Sequence, residues 1–215
     1  MQATYVQRLR LTFRKEGPTR FIGHLDLART MERALNRAKI PVAYSQGFNR
    51  RPKIQFATAL PLGYTSEAEL ADIWLTERLD PAGVLTQLMS RMAPGIAIYH
   101  IQEIPLFIPA LQAITQESIY RVQLRGEIER SVLVAAITNL LASQTFIRER
   151  KDKSYDLRPM ILGLQLASDE MVLTMRLSLL PGQTGRPDEV LDALGLDPLN
   201  AAIHRTAIVL DKNAK

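Results

Sequence analysis

The tetrapeptides Arg51-Pro52-Lys53-Ile54 and Arg158-Pro159-Met160-Ile161 decide how this chain of 215 residues divides. Each follows a basic stretch, FNRRP in one case and RERKDKSYDLRP in the other. Each opens a short apolar segment, KIQFATAL or PMILGLQLA. Internal self-similarity of this kind marks a duplicated structural unit.

Working outward from the first copy, residues Arg8 to Arg14 alternate polar and apolar with the period of two of a half-buried strand. From His24 to Lys39 the period lengthens. Leu27, Met31, Ala34, Leu35 and Ala38 fall on one helical stripe, Asp26 sits in the first turn, and Pro41 closes the run. Downstream, Lys53–Leu60 and Leu70–Leu79 read as paired strands. Pro81 opens a helix carrying Val84, Leu85, Leu88, Met89 and Met92, and Ile96–Ile104 is a last strand. The order is β-α-β-β-α-β.

The second half repeats it. Ser118–Gly126 is a strand, Ser131–Ser143 a helix, and two strands flank Ser168–Asp169. A short helix follows over Arg186–Leu196, and AIHRTAIVL closes the chain. Residues 146–151 either add a short strand or stay irregular. The expected fold is α+β: two tandem ferredoxin-like (βαββαβ) domains with antiparallel sheets. They span residues 1–105 and 118–215, joined by a linker over 106–117.

Composition narrows the function. The chain is 47% hydrophobic and 23% charged, with no apolar run near the roughly 18–20 residues of a membrane span. It has no Cys, so thiolate chemistry, zinc–thiolate sites and iron–sulfur clusters are excluded. No signal-peptide pattern precedes the first strand, and a cytoplasmic location without membrane contact is expected. His24, His100 and His204 are too scattered for a metal-ligand spacing. No phosphate-binding P-loop, G-x-G-x-x-G, H-E-x-x-H or G-x-S-x-G is present. No metal and no cofactor is expected.

Charge is unevenly spread. Residues 1–60 hold 12 Lys/Arg against 3 Asp/Glu, and residues 61–120 hold 2 against 7. A +9 excess in sixty residues is the kind of field that attracts polyanions. Arg29, Arg33 and Arg37 stack at i, i+4, i+8 on one helix face, away from the apolar stripe. They read either as a solvated face partly compensated by Glu32 or as a phosphate-tracking ridge. The following loop, AYSQGFNRRPK, adds Arg50, Arg51 and Lys53 to Tyr44, Gln46 and Asn49. Cations interleaved with groups that stack on or hydrogen-bond bases suit single-stranded RNA. Phe48 reads as an anchor packed beneath this loop, and Tyr44 as either anchor or stacking surface. In the second half Lys151, Lys153 and Arg158 occupy the matching connection, interspersed with Asp152 and Asp156.

His24, at a helix start with Asp26 nearby and Tyr44 within plausible reach, is the one catalytic candidate, a general acid or base for RNA cleavage. The other reading is a structural histidine at the helix N-terminus.

Phe21–Leu70 resembles the N-terminal signature of the bacterial radical SAM-linked protein family, a domain of unknown function. The matching stretches here are FIGHLDLARTMERALNRA, YSQGFNRRPK and ALPLGYTSEAE. YDLRPMI and RPDEVLDALGL extend a looser match through the second half. Gly23 stands where the family usually has Ser, and Arg50-Arg51 where it usually has Pro followed by His or Arg. The resemblance implies a partner, a radical SAM protein encoded beside the domain or fused to it, and an RNA or ribosomal setting. Tandem ferredoxin-like domains are also similar in fold to CRISPR repeat-RNA endonucleases, an analogy of architecture alone.

The function expected from these readings is a non-catalytic RNA-binding accessory module that presents rRNA or tRNA to a radical SAM enzyme. The alternatives are a metal-independent endoribonuclease using His24, and a protein-interaction subunit docking on the radical SAM enzyme.

Overall fold

The computed structural model describes residues 5–46, 48–150 and 153–214. The protein is an α+β chain, and every strand pairing described within either part is antiparallel. It forms two compact units, Met1–Ile114 with Lys212–Lys215, and Thr115–Asp211.

In the first unit β1 (Gln7–Lys15) is followed by α1 (His24–Arg37), β2 (Ile54–Phe56), β3 (Thr65–Leu75), α2 (Pro81–Met89) and β4 (Ile96–Ile104). The strands lie in the order β4-β1-β3-β2. One row of β1, Leu9, Leu11 and Phe13, shares a core with Ala71, Ile73 and Leu75 of β3 and with Leu27, Met31, Ala34 and Leu35 of α1. Each fully buried Leu or Met contributes roughly 1.5–3 kcal/mol, which holds α1 down along its stripe. Asp80 caps α2, its carboxylate accepting from the Gly83 amide at 2.9 Å, and Pro81 occupies the first turn.

The second strand is shorter than its sequence predicts. Only Ile54–Phe56 pair with β3, and β3 itself starts at Thr65 rather than Leu70 and stops at Leu75. Lys53 flanks the strand and joins it to the preceding loop: its carbonyl accepts from the Trp74 amide at 3.3 Å, and its amide donates to the Ala43 carbonyl at 2.7 Å.

The other row of β1 is also buried. Arg8 is 1% exposed and Arg10 7%, and in the register with β3 they stand opposite Trp74 and Asp72. The Asp72 carboxylate is wholly buried and accepts from both guanidinium groups. Arg8 donates through Nε at 3.1 Å and Nη2 at 2.6 Å, Arg10 through Nε at 2.8 Å and Nη2 at 2.9 Å. Arg8 also donates to the carbonyls of Ile108 (2.5 Å) and Pro109 (3.1 Å), with its guanidinium carbon 4.6 Å from the Trp74 ring centre. The Leu111 amide donates to Gln55 Oε1 at 2.8 Å. Residues 108–111, expected in a linker, are thus tied to β1 and β2.

The second unit contains β5 (Thr115–Leu124), α3 (Arg130–Ala142), β6 (Ile147–Arg150), β7 (Lys153–Asp156), β8 (Ile161–Leu166), β9 (Val172–Leu180), β10 (Gln183–Thr184), α4 (Pro187–Ala193) and β11 (Ala201–Leu210). Its principal strands lie in the order β11-β5-β9-β8, the order of the first unit. α3 buries Leu133, Ile137 and Leu140, a helical stripe, and α4 buries Val190 and Leu191. β6 and β7 form a separate two-stranded ladder, so residues 147–150 are the short strand that the sequence left open. β10, not expected from the sequence, pairs with the end of β9.

Candidate nucleic-acid interface

The loop between α1 and β2 is a closed hairpin on a stem. Ala43 donates to the Trp74 carbonyl at 2.7 Å, Ser45 to the Arg51 carbonyl at 2.8 Å, and the Arg51 amide to Ser45 Oγ at 3.0 Å. Tyr44 and Pro52 form a backbone bridge between these contacts. Ala43 is buried at the base, whereas Gln46, Phe48, Asn49, Arg50 and Arg51 are exposed. Gly47 lies outside the described residues.

Phe48 corrects the sequence reading. It is fully exposed rather than packed beneath the loop. The stem closes at Ser45 and Arg51, so the tip extends past the last backbone contact that could draw a side chain inward. Tyr44 is 41% exposed and donates its hydroxyl to Asn36 Oδ1 on α1 at 3.2 Å, which joins the loop to the helix while leaving ring surface open.

Arg29, Arg33 and Arg37 are all exposed on α1. Arg29 makes a loose ion pair with Asp26 at 3.4 Å, both side chains being more than 60% exposed. Neither Arg33, Arg37, Arg50 nor Arg51 takes part in an ion pair among the described residues. The open face of α1 and the loop tip therefore carry uncompensated charge.

Other cations of the first sixty residues lie elsewhere. Arg8 and Arg10 are spent on Asp72 inside the unit, and Lys15 is 1% exposed. Burial pushes the Lys15 ammonium below the usual lysine range, opposed by the charge of Glu69. Lys53 is half-buried, its ammonium 3.9 Å from the Tyr5 ring centre and 4.7 Å from that of Trp74. These cation–π contacts brace the loop's foot. The +9 excess is thus a smaller exposed field, concentrated on α1 and the tip. Sequence reasoning missed the buried trio because Arg8 and Arg10 alternate as a solvent-facing row would. The available signal was Asp72, a lone acid inside the apolar run LADIWL.

His24 begins α1 with its ring edge against Phe56, centroids 5.3 Å apart. Its Nδ1 is buried and finds no hydrogen-bond partner among the described residues. Asp26 turns to Arg29 and the Tyr44 hydroxyl to Asn36.

In the second unit Lys153 is exposed on β7, and Lys151 lies outside the described residues. Arg158 donates to the Leu141 carbonyl from Nε (3.3 Å) and Nη2 (2.7 Å), and to the Ile161 carbonyl from Nη1 at 2.9 Å. It ties the last turn of α3 to β8. No group of three or more His, Asp or Glu side chains placed to hold a metal ion occurs among the described residues. Nor is any described helix long and apolar enough to cross a membrane.

A model of the family described as "Uncharacterized protein conserved in bacteria (DUF2344)" matches residues 8–187, a span that takes in the loop and every strand up to β10. The chain belongs to this family. No curated protein matches it. Among solved structures, this DUF2344 chain is similar to one in the crystal structure of a Cbf5-Nop10-Gar1 complex, with 10% identity, TM-score 0.46, and coverage of 93% of this chain and 48% of that one. A chain in the structure of an H/ACA RNP bound to a substrate RNA containing 2′-deoxyuridine aligns at 10% identity and TM-score 0.45, covering 93% and 46%. One from the archaeal box H/ACA sRNP Nop10-Cbf5 complex aligns at 11% and 0.40, covering 92% and 46%. The chain spans about half the length of these solved chains.

Proposed function

We propose that this DUF2344 chain is a non-catalytic RNA-binding module of two tandem ferredoxin-like domains, which presents rRNA or tRNA to a radical SAM enzyme in the cytoplasm. The observation that carries the reading is the loop tip: a fully exposed Phe48 beside exposed Arg50 and Arg51, on a hairpin joined to the arginine face of α1. An aromatic ring held in water has no folding role to explain it, and a base is a natural partner for its face. Arg29, Arg33, Arg37, Arg50 and Arg51 contact phosphates. Phe48, Tyr44, Gln46 and Asn49 contact bases and sugars. Lys53 and Arg158 support the fold around these surfaces, since both are engaged within the protein. The strand order last-first-third-second in each unit supports the ferredoxin-like reading.

Fluorescence anisotropy with a labelled single-stranded RNA across a salt series tests it. Five exposed arginines on five phosphates give a slope of log K against log salt of about −3.5, at about −0.7 per phosphate. Arg33→Glu/Arg50→Glu/Arg51→Glu should weaken binding at least about tenfold, roughly 1.4 kcal/mol, and flatten the slope. A salt-independent affinity, or one unchanged in the triple variant, refutes the proposal.

A second reading, a protein-interaction subunit docking on the radical SAM enzyme, is favoured by apolar side chains near the start of α1. Phe21, Leu25 and Leu62 are each more than 60% exposed, and the Gly63 amide donates to the Arg20 carbonyl at 2.8 Å, bringing the two loops together. Co-purification with the enzyme that resists nuclease and is lost in Phe21→Ser/Leu25→Ser supports this reading. Co-purification that nuclease abolishes refutes it. The endoribonuclease alternative draws no support from a His24 whose expected helpers are engaged elsewhere.

A further inference from the structure

The second unit holds a cleft of about 430 Å³ that none of the loop residues above lines. Its cations come from three separate segments: Arg150 from β6, Lys153 from β7 and Arg186 from the turn before α4. Leu157 and Met160 supply apolar lining, while Tyr155, Ser154 and Thr184 bring hydroxyl groups. We propose that this cleft binds a phosphate monoester of nucleotide size.

Charge is the first argument. Three cations line the cleft with one lining acid, Glu189, and because Asp188 pairs with Arg186 the local balance is one positive charge, with guanidinium and ammonium donors turned to one space, a donor set that suits a phosphate. Glu189 is itself engaged: its side chain is 12% exposed, it accepts a hydrogen bond from the Tyr155 hydroxyl, and it lies 3.7 Å from Arg150 Nε and 3.9 Å from Arg148 Nε. Asp192, which pairs with Arg148 at 2.7 Å, steadies the same edge. Asp188 holds Arg186 through Nε at 3.1 Å and Nη2 at 2.6 Å. These acids position arginines at the cleft. Lys153 is exposed and makes no ion pair among the described residues.

Size and lining are the second argument. About 430 Å³ falls within the roughly 300–1,000 Å³ of small-molecule sites and exceeds what a bare phosphate fills. The Leu157–Met160 lining and the Tyr155 ring suit a sugar and a base. The Tyr155 hydroxyl donates to Glu189, which holds the ring at the cleft wall, and burial and that neighbour raise its phenol to about 12. The ligand is either a free nucleotide or the phosphorylated end of an RNA strand.

Titration calorimetry on the full chain, with AMP, adenosine, inorganic phosphate and a short oligoribonucleotide bearing either 5′-phosphate or 5′-hydroxyl, tests the site. AMP should bind at least about tenfold more tightly than adenosine and than inorganic phosphate. Arg150→Ala/Lys153→Ala should lose at least about tenfold in AMP affinity. Lys153→Glu, a change at an exposed position that keeps the fold, should do the same, whereas Arg50→Glu/Arg51→Glu should leave AMP binding unchanged. The last variant separates this site from the RNA-binding reading: the cleft can fail while the loop still binds RNA, and the reverse. A preference for the 5′-phosphorylated strand over AMP, lost in Lys153→Glu, assigns a strand end. Equal binding of the two oligonucleotides assigns the free nucleotide. AMP and adenosine binding alike, no AMP binding up to about 10 mM, or unchanged affinity in Lys153→Glu overturns the proposal.

Discussion

Asp72→Asn should destabilise the first unit by about 3 kcal/mol or more. The carboxylate is wholly buried and receives four donors from Arg8 and Arg10, which are 1% and 7% exposed. Asparagine keeps the shape but loses the charge, and its amide group meets guanidinium donors. Breaking a buried ion pair by removing one partner costs about 3–5 kcal/mol, because an uncompensated charge remains inside. Two guanidinium groups are stranded here, yet Arg8 keeps the carbonyls of Ile108 and Pro109 and the face of Trp74. That retention places the expected loss near the lower end of the range. With a urea slope of about 2 kcal/mol per molar, the unfolding midpoint falls by about 1.5 M. Trp74 is the chain's single tryptophan and contacts Arg8, so its fluorescence reports on this unit. Asp26→Asn is the control: its pair with Arg29 is more than 60% exposed, and its loss should stay within about 0.5 kcal/mol. Should Asp72→Asn shift the midpoint no further than Asp26→Asn, the buried-network argument is wrong.

Gly95→Ala should cost at least about 2 kcal/mol in thermal melts, since Gly95 has φ +88° and a Cβ there would sit 2.8 Å from the Glu16 carbonyl oxygen. An unchanged midpoint would show that this turn can shift freely. Leu35→Ala, at a wholly buried position facing β1 and β3, should lose about 2–5 kcal/mol in urea unfolding. Tyr155→Phe should remove a late phenolate step from the alkaline absorbance titration. The folded phenol titrates at about 12 against an ordinary 10.0, so its contribution to stability is complete below pH 10 and is lost as pH rises through 12. Phe48→Ala should weaken RNA binding by about 1–3 kcal/mol in anisotropy titrations and leave the melting temperature unchanged, because the ring is fully exposed.

Elements whose signal is local were legible in the sequence. The apolar stripe from Leu27 to Ala38 defined α1, Pro81 defined the start of α2, and β4 has the bounds its alternation predicts. Errors gathered where long-range pairing sets the ends. Strand β2 has three laddered residues, Ile54, Gln55 and Phe56, with one backbone bond to β3 at each flank: the Trp74 amide donates to the Lys53 carbonyl and the Ala57 amide to the Leu70 carbonyl, while the Lys53 amide turns to Ala43. The β10 strand has two residues and no periodicity to detect. Within the candidate interface, the arginine spacing on α1 was readable because i, i+4, i+8 places side chains on one face of any helix. Whether Phe48 points in or out was not, because no local rule links a loop residue to what lies beneath it.

The sequence by itself determined the α+β class and the placement of one basic connection after the first helix of each half. Short-range periodicity and turn chemistry suffice for that. Only the tertiary structure decided which charges meet solvent. Arg8 and Arg10 have the same residue type and local alternation as exposed strand arginines. Their fate depends on Asp72, more than sixty residues away, arriving opposite Arg10 in the β1–β3 register. A carboxylate inside the unit turns two apparent surface cations into interior ones. The charge left for a polyanion is what α1 and the loop tip hold out into water, where no acid reaches Arg33, Arg37, Arg50 or Arg51 among the described residues.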